Sequence, residues 1–208
     1  MQKMIEENST LLKEDGLLNV DGYCKKMQVQ YNKENVKNKK RLKEWDYYYV
    51  ADRHFALCLT ISDIAFASVL SASVIDFSTG LHYDKTSLAL FPKTKAELPL
   101  TSTEGKSYYK TKDAEFTFVV ENGTRHLFGT YKNFYKASGK DLVFDIVLDA
   151  EPKESMVKVT PFKNKKHFYF NQKINCMRAS GFFTFSGKKS ISPQPPFVFQ
   201  FIFAMEQA

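Results

Sequence analysis

The sequence predicts an all-β protein built from antiparallel strands, and three observations support this class. Aromatic residues make up 15% of the 208 residues, with 19 Phe and 11 Tyr, and these residue types favour the half-buried surface of a sheet. From Trp45 onward, about ten short strand-like segments follow one another at close spacing, separated by turn residues. Helical periodicity is almost absent after residue 44. Short connections between successive strands indicate an antiparallel barrel or sandwich rather than a parallel sheet with crossover helices.

Residues 1–44 predict an irregular N-terminal arm that crosses the surface of the protein. Asp15-Gly16 and Asp21-Gly22 are turn signals. Residues 25–43 are rich in Lys and Asn, and their apolar residues fit neither the helical nor the strand period, although one helical turn is compatible with them. This segment holds eight basic residues and a single acid, Glu34. The simplest interpretation is a solvated basic surface. Attraction of nucleic acid or of anionic lipid headgroups is the alternative, and no nucleic-acid partner is expected.

Residues 45–208 are predicted to form the β-domain. Its strands are expected, in chain order, at residues 45–50, 54–62, 64–77, 81–91, 114–121, 125–134, 142–148, 156–161, 167–177 and 182–185. Asn122-Gly123 predicts a tight hairpin, and residues 93–106 are predicted to be a loop because they contain Pro99 and Gly105. The uncharged segment 197–203 is strongly β-prone and would be an aggregation-prone edge if it were left unpaired. It pairs either into the barrel or with sequence missing from this chain, and we expect the second.

The nearly uncharged stretch 55–77 predicts the central strands of the core. About 20 apolar residues could also cross a membrane, but Asp63 and Asp76 interrupt this run, and a carboxylate in mid-bilayer is costly. No transmembrane segment is therefore expected. The chain begins with a polar, acidic segment unlike a signal peptide, which predicts a cytoplasmic location.

Sequence motifs assign neither a metal nor a cofactor. The cysteines Cys24, Cys58 and Cys176 are far apart and have no His at metal-ligand spacing. The four histidines are scattered, and the chain contains no P-loop, no Gly-rich dinucleotide fingerprint and no nucleophile elbow. We therefore expect no metal site and no cofactor, and we assign no catalytic residue from motifs.

Two groups of residues are candidates for a binding site. Asp63 and Asp76 are the carboxylates of the apolar stretch, and in one regular strand their spacing would put them on opposite faces unless a bulge intervened. The alternative is that each caps a turn. Trp45, Asp46 and Tyr47 open the β-domain, where aromatic side chains with polar handles suit the wall of a ligand cavity. They equally suit a strand that is covered on both sides.

Three blocks of the sequence resemble the family called domain of unknown function 2804. They are the string Lys43-Glu44-Trp45-Asp46-Tyr47-Tyr48, the segments around Asp63 and Asp76, and the string Lys173-Ile174-Asn175-Cys176-Met177. That family is similar in architecture to the tocopherol cyclase and carotenoid hydratase group, which is built from two lipocalin-like barrels. The resemblance implies an antiparallel lipocalin-like (calycin-like) β-barrel over residues 45–208, after an N-terminal arm over residues 1–44. The family continues into a second barrel that we expect to be missing here.

The resemblance implies a hydrophobic small molecule or lipid as the ligand, because barrels of this strand count can enclose one. In this hypothesis Trp45, Tyr47, Asp63 and Ser71 line the barrel, and Asp46 and Asn175 are polar anchors. One alternative is an enzyme of the cyclase, hydratase or isomerase type, acting on a lipid or isoprenoid with a buried carboxylic acid as proton donor. Another is a non-catalytic interaction module whose basic face meets a partner.

Overall fold

The computed structural model describes residues 3–137, 139–164, 166–185, 188–190 and 197–206. The strands in chain order are β1 (Ser9–Thr10), β2 (Gly22–Cys24), β3 (Val29–Gln30), β4 (Glu44–Ala51), β5 (Phe55–Asp63), β6 (Ala67–Asp76), β7 (Leu81–Leu90), β8 (Gly105–Lys110), β9 (Ala114–Glu121), β10 (Thr124–Tyr135), β11 (Lys140–Asp149), β12 (Met156–Pro161), β13 (Phe168–Phe185), β14 (Lys188–Ser190) and β15 (Phe197–Glu206). Two 3-10 turns, Lys33–Asn35 and Lys39–Arg41, lie in the arm. The predicted all-β class is confirmed.

Thirteen strands form one curved sheet, ten of them along the path β7-β6-β5-β4-β15-β13-β11-β10-β9-β8, while β12 and β14 pair with β13 and β2 pairs with β12. Every neighbouring pair along this path is antiparallel. The sheet is not closed by a backbone ladder between its edge strands β7 and β8. Instead β7 meets β10 through side chains: Lys85 Nζ donates to the carbonyls of Lys132 and Asn133 at 2.6 and 3.1 Å, and the hydroxyls of Ser87 and Tyr131 are 2.7 Å apart. The fold is therefore a lipocalin-like antiparallel sheet that curls without closing.

The inner face of the curved sheet packs against itself to form the main core. Strand alternation places one residue in two on this face, as in β11, where Leu142, Phe144 and Ile146 are buried. The ring of Tyr48 on β4 meets that of Phe118 on β9 edge-on, with centroids 4.9 Å apart. The two halves of the sheet are thus in direct contact, and aliphatic and aromatic side chains fill the space between them.

The arm builds a second, smaller core rather than lying loosely on the surface. Leu11 and Leu12 are almost fully buried and cluster with Val157 of β12 and with Phe168 and Phe170 of β13. The short strand β2 pairs with β12, which extends the sheet on the far side of β13. As predicted, regular structure in the arm is limited to strands of two or three residues and to single 3-10 turns.

Some predicted boundaries were wrong for identifiable reasons. The predicted loop ends earlier, because β8 starts at Gly105 and the pattern did not predict this strand. The third predicted strand starts only at Ala67, since Ala65 adopts a φ of 72° in a turn. Two predicted strands form the single strand β13, which continues through a bulge at Cys176 and a positive φ of 115° at Gly181.

The expectation for segment 197–203 is also corrected. This segment belongs to β15, which lies inside the sheet between β4 and β13 and pairs with both. It therefore finds its hydrogen-bond partners within this chain.

Within the described ranges, no helix is both long enough and apolar enough to span a membrane.

Candidate functional site

The predicted site residues do not form one group. Strand β4 alternates strictly, so Trp45 and Tyr47 lie half-buried on the outer face of the sheet while Asp46 is buried on the inner face. Ser71 lies opposite Thr60, which in turn lies opposite Tyr47, so Ser71 and Tyr47 share a row on the outer face. Burial raises the pKa of Tyr47, and its hydrogen bond with Cys58 adds to this effect. A ligand role for Trp45, Tyr47 and Ser71 stays a prediction.

Asp63 and Asp76 both cap turns, as the alternative interpretation held. An Asp63 carboxylate oxygen accepts the backbone N–H of Ala65 at 2.8 Å, and its other oxygen pairs with Lys95 at 3.3 Å. Asp76 accepts the N–H and hydroxyl of Ser78, and these bonds lower the pKa of Asp76. The two carboxylates lie at opposite ends of the β5–β6 hairpin and do not form a catalytic pair.

Asn175 lies on β13 beside the bulge at Cys176. Its side-chain oxygen is buried and has no hydrogen-bond partner among the described residues. A buried acceptor without a partner is uncommon, which is compatible with a polar anchor for a ligand. That role stays a prediction.

The inner face carries a polar cluster at one end of the main core, which we name the capped end. Its members are Asp46, Ser102, Ser107, Arg125 and Gln172, and each is at most 4% exposed. The Ser107 hydroxyl donates to Asp46 Oδ2 at 2.8 Å and so joins β8 to β4. The Ser102 hydroxyl donates to Gln172 Oε1, which joins the loop before β8 to β13.

Arg125 is the largest fully buried side chain of the described residues. It donates to Glu151 Oε2 at 2.6 Å and to the carbonyls of Gly123 and Ser102 at 3.0 and 3.3 Å. Its Nε–H has no partner among the described residues. A buried guanidinium needs a counter-charge and hydrogen bonds to offset its lost hydration, and Glu151, itself partly exposed, supplies the counter-charge.

Asp46 is the most perturbed carboxylic acid in the capped end. Burial raises its pKa to about 7, against an ordinary value of 3.8, although the bond from Ser107, the charge of Arg125 and a bond from Tyr48 act in the opposite direction. Its Oδ1 is buried and has no partner among the described residues. A carboxyl group with a pKa near neutrality and a free oxygen can donate or accept a proton at physiological pH.

Residues 91–104 form a cap over this end of the core. Lys95 pairs with Asp63, and the N–H of Ala96 donates to the hydroxyl of Ser68 at 3.1 Å. Further along the cap, Ser102 contacts Arg125 and Gln172. These contacts with the rim of the curved sheet are hydrogen bonds and an ion pair, and Ala96 and Leu98 of the cap also pack against the main core.

The sequence pattern indicated Asp46 as a candidate but did not indicate its partners. Arg125 follows the Asn122-Gly123 hairpin and alternates in phase with Leu127, so strand periodicity would have placed it on the buried face. Ser102, Ser107 and Gln172 carry no local signal, because the bonds from Ser107 to Asp46 and from Ser102 to Gln172 reach across 61 and 70 residues of chain. Among the described residues, no group of three or more His, Cys, Asp or Glu side chains could hold a metal ion.

Comparison with known proteins supports the family assignment. No curated protein matches the chain. A solved structure, kievitone hydratase from Nectria haematococca, is similar to it with a TM-score of 0.42 and 11% identity, over 80% of this chain. This chain spans about half of that structure (49%). The family model of DUF2804, a domain of unknown function, matches residues 2–195. The chain therefore belongs to the DUF2804 family.

Proposed function

We propose that the chain binds a small, largely apolar molecule at the capped end and donates a proton to it from Asp46. Such a step is the chemistry of a hydratase, isomerase or cyclase that acts on a carbon–carbon double bond. The observation that carries the proposal is the Asp46 carboxyl group, which is buried, has a pKa raised to about 7 and has a free Oδ1.

The neighbours of Asp46 support a role as acid. The hydroxyl of Ser107 holds Oδ2 and leaves the other oxygen free to face a ligand. After proton transfer to a carbon of the ligand, Asp46 is left as a carboxylate, and the nearby charge of Arg125 stabilises that state. The same carboxylate can take up the proton that a later step releases, for example from an attacking water molecule.

The ligand would enter where residues 91–104 cover the core. The main core is filled by side chains, so a ligand must displace either this cap or the side chains beneath it. The cap is the easier of the two to move, because it contributes only the small Ala96 and the partly buried Leu98 to the packing, whereas large, fully buried side chains fill the core.

A carrier that binds a hydrophobic molecule without chemistry is the second candidate. The outer face of β4 to β6 favours it, because Trp45 and Tyr47 there flank the small side chains of Thr60 and Ser71. In this case the bound molecule would lie on the outer face, and Asp46 would have no part in binding it.

The test starts with mass spectrometry of an organic extract from freshly purified protein. We expect a stoichiometric apolar compound. The purified compound is then incubated with protein in D₂O, and deuterium incorporation at carbon is followed by mass spectrometry. We expect the wild type to exchange, and Asp46→Asn to bind the compound but lose exchange by at least about a hundredfold, which is typical of removing a general acid.

Asp76→Asn is the matched control, because Asp76 is buried to a similar extent but caps a turn at the opposite end of the hairpin. It should exchange at the wild-type rate. Exchange by Asp46→Asn at that rate would refute the acid role and leave the carrier function. An extract without a stoichiometric compound would count against both candidates.

A further inference from the structure

A cavity lies outside the main core, between the arm and the cap. We name it the arm pocket. It has a volume of about 440 Å³ and opens to solvent, and its walls come from residues 8–10 and 27–31 of the arm, from Leu100, Thr101 and Thr103 of the cap, and from Phe170. Ligand sites in proteins typically occupy about 300 to 1,000 Å³, so the arm pocket has room for one small molecule.

None of the twelve side chains that line the arm pocket is charged. Charged residues make up 25% of the chain, and the arm itself is rich in lysine, so an uncharged lining of this size departs from the composition around it. A charged ligand would lose part of its hydration here and find no opposite charge in the lining. The lining therefore selects against ions.

The lining combines apolar and hydrogen-bonding groups. Leu100, which is exposed, and the partly exposed Met27 supply apolar surface, whereas other members of the lining carry hydroxyls and amides. The Ser9 hydroxyl is buried and has no partner among the described residues, so it can bond a ligand without giving up an existing contact. The hydroxyls of Thr101 and Thr103 bond each other at 2.9 Å, which keeps both side chains at the rim.

We propose that the arm pocket binds a neutral small molecule that combines an apolar body with a hydroxyl or carbonyl group. The apolar body would rest against Leu100 and Met27, and the polar group would pair with Ser9. The proposal does not rest on the acid role of Asp46, since the arm pocket lies outside the main core.

The arm pocket and the capped end share one wall. Thr101 and Thr103 line the arm pocket, whereas Ser102 between them contacts Gln172 and Arg125 on the other side. A molecule in the arm pocket therefore touches the same piece of chain that contacts Gln172 and Arg125 in the capped end.

The test uses three probes with the same ring and different charge: benzyl alcohol, benzoate and benzylamine. Binding is measured by chemical shift changes of the protein amides. Benzyl alcohol should bind with a dissociation constant in the millimolar range, as expected for a molecule of this size, and shift the amides of residues 8–10, 27–31 and 100–103. The two charged probes should bind at least about tenfold more weakly.

Two substitutions at the exposed rim residue Thr103 locate the site. Thr103→Trp should fill the pocket and abolish the binding of benzyl alcohol. Thr103→Glu should supply a charge and reverse the order, so that benzylamine binds more tightly than benzyl alcohol. Thr130→Glu, at an exposed position of β10 outside the pocket, should leave all three affinities unchanged. Asp46→Asn should bind benzyl alcohol as the wild type does, which separates this test from that of the proposed function.

Three results would overturn the proposal. The first is equal binding of the three probes, because the lining would then not select by charge. The second is binding that survives Thr103→Trp, because the probe would then occupy another site. The third is the absence of any shift with benzyl alcohol in a folded protein.

Discussion

Three buried aspartates of this chain differ in what their oxygen atoms contact. Asp63 and Asp76 accept backbone N–H groups of adjacent turns, and at Asp76 these bonds favour the charged carboxylate. Asp46 lies within a strand, where backbone N–H groups belong to the ladder, so only side chains can compensate for its burial. That difference explains why the pKa of Asp46 rises while that of Asp76 falls.

The stability of the protein should depend on pH through Asp46. Because the folded pKa of about 7 exceeds the ordinary 3.8, the folded state keeps a proton that the unfolded chain releases between these values. The free energy of unfolding should therefore fall as pH rises through this window, with no penalty below it and the full penalty above it. Asp46→Asn should remove that fall and be more stable than wild type at about pH 8, by at most about 4 kcal/mol.

Urea denaturation of both proteins at pH values on either side of the window measures this effect. Below the window, the free energies of unfolding of wild type and Asp46→Asn should depend on pH in the same way. The difference between them should grow as pH rises through the window. A stability difference between them that is the same at every pH would contradict the assignment of the titration to Asp46.

Ser107→Ala should raise the pKa of Asp46 further. The Ser107 hydroxyl donates to the carboxylate at 2.8 Å and is the strongest influence that lowers this pKa. Titration of the Asp46 carboxyl carbon by NMR measures the change, and Ser87→Ala, at the β7–β10 contact, is the control. A downward shift, or none, would show that the hydroxyl does not stabilise the charged form.

At the scale of the element, two glycines let strands approach closely inside the curved sheet. A Cβ at Gly129 would lie 2.8 Å from the ring of Phe144, and one at Gly181 would overlap the carbonyl oxygen of Asp145. Gly181 also adopts a φ of 115°, which side-chain-bearing residues rarely adopt. The close pairing of β11 with β13 therefore depends on the absence of a side chain at Gly181.

Gly181→Ala should destabilise the protein by at least about 2 kcal/mol, because overlap and backbone strain add. Gly80→Ala is the matched control: its φ of 70° is also positive, but a Cβ there would meet no atom within 4 Å. Gly80→Ala should lower the free energy of unfolding by about 1 kcal/mol, through backbone strain alone. Urea denaturation compares the two. Equal losses would mean that close packing at Gly181 makes no energetic contribution.

At the scale of the whole molecule, β13 joins the two cores. Its first part contributes Phe168 and Phe170 to the arm core, and its later part contributes Ile174, Met177 and Phe183 to the main core. Because β13 packs in both cores, loss of its packing in one core should weaken its packing in the other. The two cores should therefore unfold together.

Leu12→Ala in the arm core and Leu59→Ala in the main core should each cost about 2 to 5 kcal/mol, since both side chains are almost fully buried. Each variant should unfold in a single transition. Fluorescence of Trp45, the only tryptophan, and far-ultraviolet circular dichroism should give coincident curves. A separate early transition in Leu12→Ala would show that the arm folds independently of the main core.

The sequence by itself determined the all-β class, the order of most strands, the hairpin at Asn122-Gly123 and the turns at Asp63 and Asp76. All of these follow from periodicity and turn chemistry within a few residues. Only the tertiary structure decided that Asp46 faces the core while Trp45 and Tyr47 face outward, and that Arg125, 79 positions further along the chain, acts on Asp46. It also decided that β15 lies between β4 and β13. The physical reason is that a strand pattern reports that one face is buried, whereas the identity of the groups that cover it depends on how distant strands pair as the sheet curls.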